Sequence, residues 1–131
     1  MTVTTDLKLA VWKKAREVEG FNPELFRKDA CGAWMSWDKY GVKDNLYGWE
    51  IDHICPVAIL EELGYSEDLI WNIDNLRAVQ CENNRSKSDD YPSYTSVVTS
   101  EGKKNIYREE NLVVNKKTRD KILQLFPKLN A

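Results

Sequence analysis

Apolar positions change their period along the chain, and the changes predict its elements. From Leu7 to Glu19 they recur at helical spacing, with Leu7, Val11, Ala15 and Val18 on one stripe, Asp6 placed to cap the start and Gly20 to stop it. Asn22-Pro23 predicts a second short helix through about Lys28. Gly32, Gly41 and Gly48 then punctuate an aromatic stretch (Trp34, Trp37, Tyr40, Tyr47, Trp49) that reads as a β-hairpin or extended turns. Strands are predicted at Trp49 to Ile54 and Leu76 to Gln80, separated by helical turns at Val57 to Leu63 and Glu67 to Trp71. A polar helix follows from about Glu82 and halts near Tyr91-Pro92. Tyr94 to Ser100 and Asn105 to Arg108 flank Glu101-Gly102 as a hairpin, and Asn115 caps a last helix through Phe126. The fold class is α+β, with helices flanking a strand–strand–helix centre.

At 131 residues the chain is long enough for one domain spanning 1–131, and 5 Trp, 6 Tyr and 3 Phe supply the apolar surface for a modest core. The longest apolar run, Ile54 to Leu60, is interrupted by Pro56 and falls far short of the roughly 20 residues that span a bilayer. Met1 to Asp6 lacks the pattern of a secretory signal, so the expected location is cytoplasmic and no membrane partner is expected. Cys31, Cys55 and Cys81 form no C-x-x-C pair and read as reduced, buried thiols, so no structural zinc is expected. His53 is the only histidine, which rules out a site built on two imidazoles.

The net charge of −2 conceals a division. Residues 1–102 hold 11 basic and 18 acidic groups, whereas 103–131 hold 8 and 3, a balance of −7 against +5. Lys103, Lys104, Lys116, Lys117, Arg119 and Lys121 therefore form either a phosphate-binding segment or a solvated helix face.

The chemistry-bearing residues lie between 48 and 90. Asp52 and Asn84 offer an anionic and a neutral oxygen, hard donors that suit one divalent ion, Mg²⁺ or Mn²⁺, with water and substrate completing its shell. His53 has an imidazole able to take a proton from water near pH 7. Neighbours on a strand point to opposite faces, so Asp52 can hold a metal while His53 addresses the attacking water. On a helix, Asn84, Lys87 and Ser88 share a face, which brings Lys87 towards the same phosphate, while Arg85 points to a neighbouring one. Arg77 is a further candidate for backbone contact, and Trp49 is expected in the core rather than stacked on a base.

Gly48-Trp49-Glu50-Ile51-Asp52-His53-Ile54-Cys55-Pro56, then Asp74-Asn75-Leu76-Arg77, then Asn83-Asn84-Arg85-Ser86-Lys87-Ser88-Asp89, resemble the HNH nucleases. The match is with their zinc-free branch, which carries D-H-I-x-P, a later N-L and then N-R-x-K-S-D, and includes small phage and bacterial enzymes and the HNH domain of CRISPR effectors. Arg27 to Trp34 and Tyr40-Gly41 also look like the lead-in of small HNH proteins. The resemblance implies a ββα-metal (His-Me finger) core. It also implies metal binding at Asp52 and Asn84, general-base duty at His53, and a supporting role for Asn75 in tying down the loop after the first strand. The 21 residues between His53 and Asn75 are more than many relatives have. The expected function is a metal-dependent DNA endonuclease, acting on double-stranded DNA with one metal ion, with Arg77, Arg85 and Lys87 meeting the nucleic acid. The alternatives are a non-catalytic HNH-like module that binds nucleic acid or protein, and an RNA-directed nuclease of the same fold.

Overall fold

The computed structural model describes residues 2–130 and has an α+β architecture with three two-stranded antiparallel sheets. Helix α1 (Thr5–Trp12) is capped by Thr4, whose hydroxyl accepts from Leu7 N at 3.1 Å, rather than by Asp6, and it stops well before Gly20. Arg27 explains the early stop. Its guanidinium donates to the carbonyls of Lys13 (3.1 Å) and Ala15 (3.0 Å), which therefore need no further helical turn. The second predicted helix is replaced by a single turn at Asn22, followed by strand β1 (Phe26–Lys28). Pairing with β2 (Trp34–Ser36) and a bridge between Arg16 and Lys28 claim the backbone groups that a helix would have used.

Strands β3 (Trp49–His53) and β4 (Leu76–Gln80) pair antiparallel, with Asp52 opposite Arg77 and His53 opposite Leu76. Alternation divides them into two faces. One carries Trp49, Ile51, Leu76 and Ala78 and packs on Val11, Trp12 and Met35. The Trp12, Trp37 and Tyr40 rings close around Trp49 at 5.0, 5.7 and 4.9 Å, so Trp49 is a core residue with no face left for a base. The other face carries Glu50, Asp52 and Arg77, and helix α4 (Cys81–Lys87), which starts directly after β4, lies over it.

Between β3 and β4, helices α2 (Val57–Glu62) and α3 (Glu67–Ile70) send Leu60 and Ile70 into a second cluster with Ile54, Cys55, Tyr94, Ile122 and Phe126. Strands β5 (Ser93–Glu101) and β6 (Lys104–Val113) form a hairpin longer than predicted. Asn115 caps α5 (Lys116–Leu125) by accepting from Thr118 N at 2.8 Å. All three cysteines are free and buried, and no helix among the described residues is long and apolar enough to cross a membrane.

A buried carboxylate joins these parts. Asp29 Oδ1 accepts from Cys31 N (3.0 Å) and Ala33 N (2.9 Å), which sets the β1–β2 turn. In that turn Gly32 has φ +86°, and a side chain there would meet Thr99 Oγ1 at 2.8 Å. Asp29 Oδ2 accepts from Gln80 N (3.0 Å) and Asn83 Nδ2 (3.2 Å) at the β4–α4 corner. Asn83 continues the chain of contacts, accepting from Val97 N and Val98 N at 2.9 Å and donating to Val98 O at 2.8 Å, so α4 is fixed to β5 where that strand's register shifts. Asp29→Asn turns an amide N–H₂ towards N–H donors. We expect it to cost about 3 kcal/mol in urea unfolding; an unchanged midpoint would show that the carboxylate is not a structural tie.

Candidate functional site

Asp52, the last inward carboxylate of β3, is only 6% exposed and takes two cations on one oxygen. Arg77 Nε lies 3.2 Å and Lys87 Nζ 3.5 Å from Oδ2. Burial pushes the Asp52 carboxyl up, while the Lys87 and Arg77 charges in contact with it pull it back towards the ionised form. Lys87 Nζ also donates to the His53 carbonyl at 3.1 Å, and the Arg77 guanidinium lies 5.1 Å from the Tyr94 ring centre.

His53 leaves the opposite face of the strand. Its ring meets Trp71 edge-to-face, with centroids 4.4 Å apart and planes at 90°, and its Nε2 is buried with no hydrogen-bond partner. Burial first, and the Lys87 charge second, hold the imidazole below its ordinary pKa, so it is neutral at pH 7 and one ring nitrogen carries a lone pair.

Asn75 does what a clamp at this position must do. Its Oδ1 accepts from Cys55 N at 2.8 Å, while its Nδ2 donates to Cys55 O (3.1 Å) and Ile70 O (3.0 Å), fixing the chain two residues beyond His53 and tying α3 to it. The residue is fully buried, so its role is positional.

The helix-face prediction holds for two residues and fails for the third. Asn84 and Lys87 both face β3, but Ser88 leaves the helix as its C-cap with φ +48°. Burial also corrects the expected cation placement. Of the three cations expected to meet nucleic acid, only Arg85 is exposed; Lys87 is 1% exposed, and Arg77 is held on Asp52 beneath Tyr94. Asp52 supplies the reason, because a buried carboxylate draws the nearest cations inward. Glu50 was not anticipated. It shares the Asp52 face two residues earlier and accepts from Asn84 Nδ2 at 3.5 Å. Strand alternation from Asp52 was the signal that would have found it.

Among the described residues no group of three His, Cys, Asp or Glu side chains converges as a metal site. The oxygens nevertheless fit a hard divalent ion bound sparsely. Both cations sit on Asp52 Oδ2, so Oδ1 remains for a metal, and α4 holds the Asn84 amide over the same face of β3, beside Glu50. No protein-family model, curated protein or solved structure matches the chain.

NMR titration of the single histidine should give a pKa below the usual value of about 6.5, and Lys87→Met should raise it part of the way back. The unfolded chain then binds more protons than the folded one as pH falls below about 6.5, so this group's contribution to stability declines with acidification until pH passes the folded pKa. A His53 pKa above 6.5 would overturn this picture of its surroundings.

Proposed function

We propose that this protein is a metal-dependent endonuclease of the HNH kind, hydrolysing phosphodiester bonds in DNA on a ββα-metal core formed by β3, β4 and α4. The observation that carries the reading is the division of labour on β3. Asp52 faces α4 and Asn84, His53 faces away as a neutral base, and Asn75 clamps the segment just after them.

In this mechanism Asp52 and Asn84, with Glu50 alongside, would hold one Mg²⁺ or Mn²⁺, which when bound supplies charge relief to the pentavalent phosphorus and the departing 3′ oxygen. His53 accepts a proton from the attacking water as the new P–O bond forms and the bond to the 3′ oxygen breaks. Arg77 and Lys87 act indirectly, fixing the Asp52 carboxylate so that one oxygen is always presented in the same direction. Trp71 and Asn75 limit the motion of the His53 ring and backbone.

The low exposure of Asp52 and the two cations already on it favour a second reading, a non-catalytic module that keeps the motif as scaffold. Relaxation of supercoiled plasmid separates the two. We expect nicking with Mg²⁺ or Mn²⁺, none in EDTA, a loss of about a thousandfold or more in His53→Ala, and a shift to higher Mn²⁺ requirement in Asn84→Ala. Wild-type and His53→Ala protein nicking equally would remove the mechanism, and DNA binding in EDTA with no cleavage of DNA or RNA would establish the module instead.

A further inference from the structure

We propose that a second, basic cleft beside the β3–β4 pair binds the phosphodiester backbone of nucleic acid and leads it towards His53; the proposal rests on the nuclease reading and extends it to a substrate track. The cleft holds about 420 Å³ and is walled by the segment after α1, the edge of β4, the end of β6 and the start of α5. Lys14, Arg16, Lys28 and Lys121 line it, against one exposed carboxylate, Asp74. Asp29 also reaches its wall, but both of its oxygens are spent on four N–H donors.

Two features make this more than a set of solvated lysines. Lys14 is tied down, its Nζ donating to the carbonyls of Ile73 (2.6 Å) and Leu76, so its charge is fixed at the cleft instead of sweeping through solvent. It is also crowded by like charge: after burial, which is opposed by Asp74, the Lys121 and Arg77 charges lower its pKa. Cations gathered in this way are relieved by an incoming anion. Four cations from three separate segments of the chain meet at this cleft, more positive charge than one small phosphate ester would neutralise, which suits the repeated phosphates of a polymer better. Thr118 and Asn115 add polar groups at the start of α5, whose first turn contains no acidic residue. Arg77 and Ile54 also line the cleft, and they are the residue paired with Asp52 and the residue following His53, so a strand lying there is already next to the candidate site.

Only Lys121 among the cationic candidates of the C-terminal segment lines this cleft; its companions come from the N-terminal part of the chain, where net charge gave no hint of them.

The test is fluorescence anisotropy of a labelled DNA duplex of about 20 base pairs, titrated in EDTA over a range of salt so that binding is read without cleavage. Arg16→Gln and Lys121→Gln alter exposed side chains, and the matched thermal midpoint of each variant checks the fold. The double variant should bind about tenfold or more weakly, with the slope of log affinity against log salt smaller by about 1 to 2, while Lys103→Gln, on the β5–β6 turn, stays within about twofold of wild type. Equal losses in Lys103→Gln, or no loss in the double variant, would overturn the cleft. So would cleft-dependent binding of a nucleoside monophosphate with no cleft-dependent binding of the duplex, which would mark a small-ligand site. Intact cleft-dependent binding without metal-dependent nicking would instead defeat the nuclease reading while leaving the cleft in place.

Discussion

The carboxylate of Asp29 is the constraint on which the remaining arrangement depends. Its two oxygens face different parts of the molecule, one closing the β1–β2 turn and the other holding Gln80 N and Asn83 Nδ2 where β4 becomes α4. Gln80 caps α4 through its own side chain, accepting from Asn83 N at 2.9 Å, so backbone and side chain at this corner are both fixed. Burial pushes the Asp29 carboxyl up, the four donors around it counter part of that shift, and together they make the carboxyl group a four-way tie. The direction in which α4 leaves the sheet, and with it the positions of Asn84 and Lys87, follows from a residue more than fifty positions earlier in the chain.

The contacts of the candidate site radiate from that corner. α4 lies across the Glu50–Asp52 face, Lys87 reaches Asp52 and the His53 carbonyl, and Arg77 closes from the neighbouring strand. Three charges are thus removed from water together. Such a cluster adds little net stability, yet breaking it by removing one partner costs about 3 to 5 kcal/mol, so it specifies geometry more than it strengthens the fold. Strand alternation turns the His53 ring away from this cluster and onto Trp71, so the candidate base and the candidate ligand are adjacent in sequence and on opposite faces, with the Lys87 charge still reaching the imidazole.

Local signals were legible in the sequence. Period-two alternation located β3 and β4 to within a residue, Asn115 marked the start of α5, and the order strand, loop, strand, helix was visible from punctuation. Features set by distant partners were not. The helical stripe from Leu7 to Val18 has the right spacing, but Arg27 takes the carbonyls that would have extended it, and the segment after Pro23 becomes a strand because Trp34 to Ser36 is there to pair with it. Hydrophobic pattern also undercounts β6, whose residues are mostly polar and exposed. In the site, residue types and helix spacing named Asp52, His53, Asn84 and Lys87, and the resemblance added Asn75; none of these signals could show that Lys87 and Arg77 are buried on Asp52, because charge alone does not reveal which cations lose their water. Asp29 looked ordinary for the same reason, since its four partners are separated in sequence.

Mn²⁺ binding tests most directly whether the buried carboxylate on β3 is a metal ligand. Anomalous diffraction from crystals grown with Mn²⁺ should place an ion bonded to Asp52 Oδ1 and the Asn84 side-chain oxygen, with Arg77 and Lys87 still on Oδ2, and the peak should vanish in Asp52→Asn. An ion bound elsewhere, or none at Asp52 under conditions in which the protein cleaves DNA, would contradict the assignment.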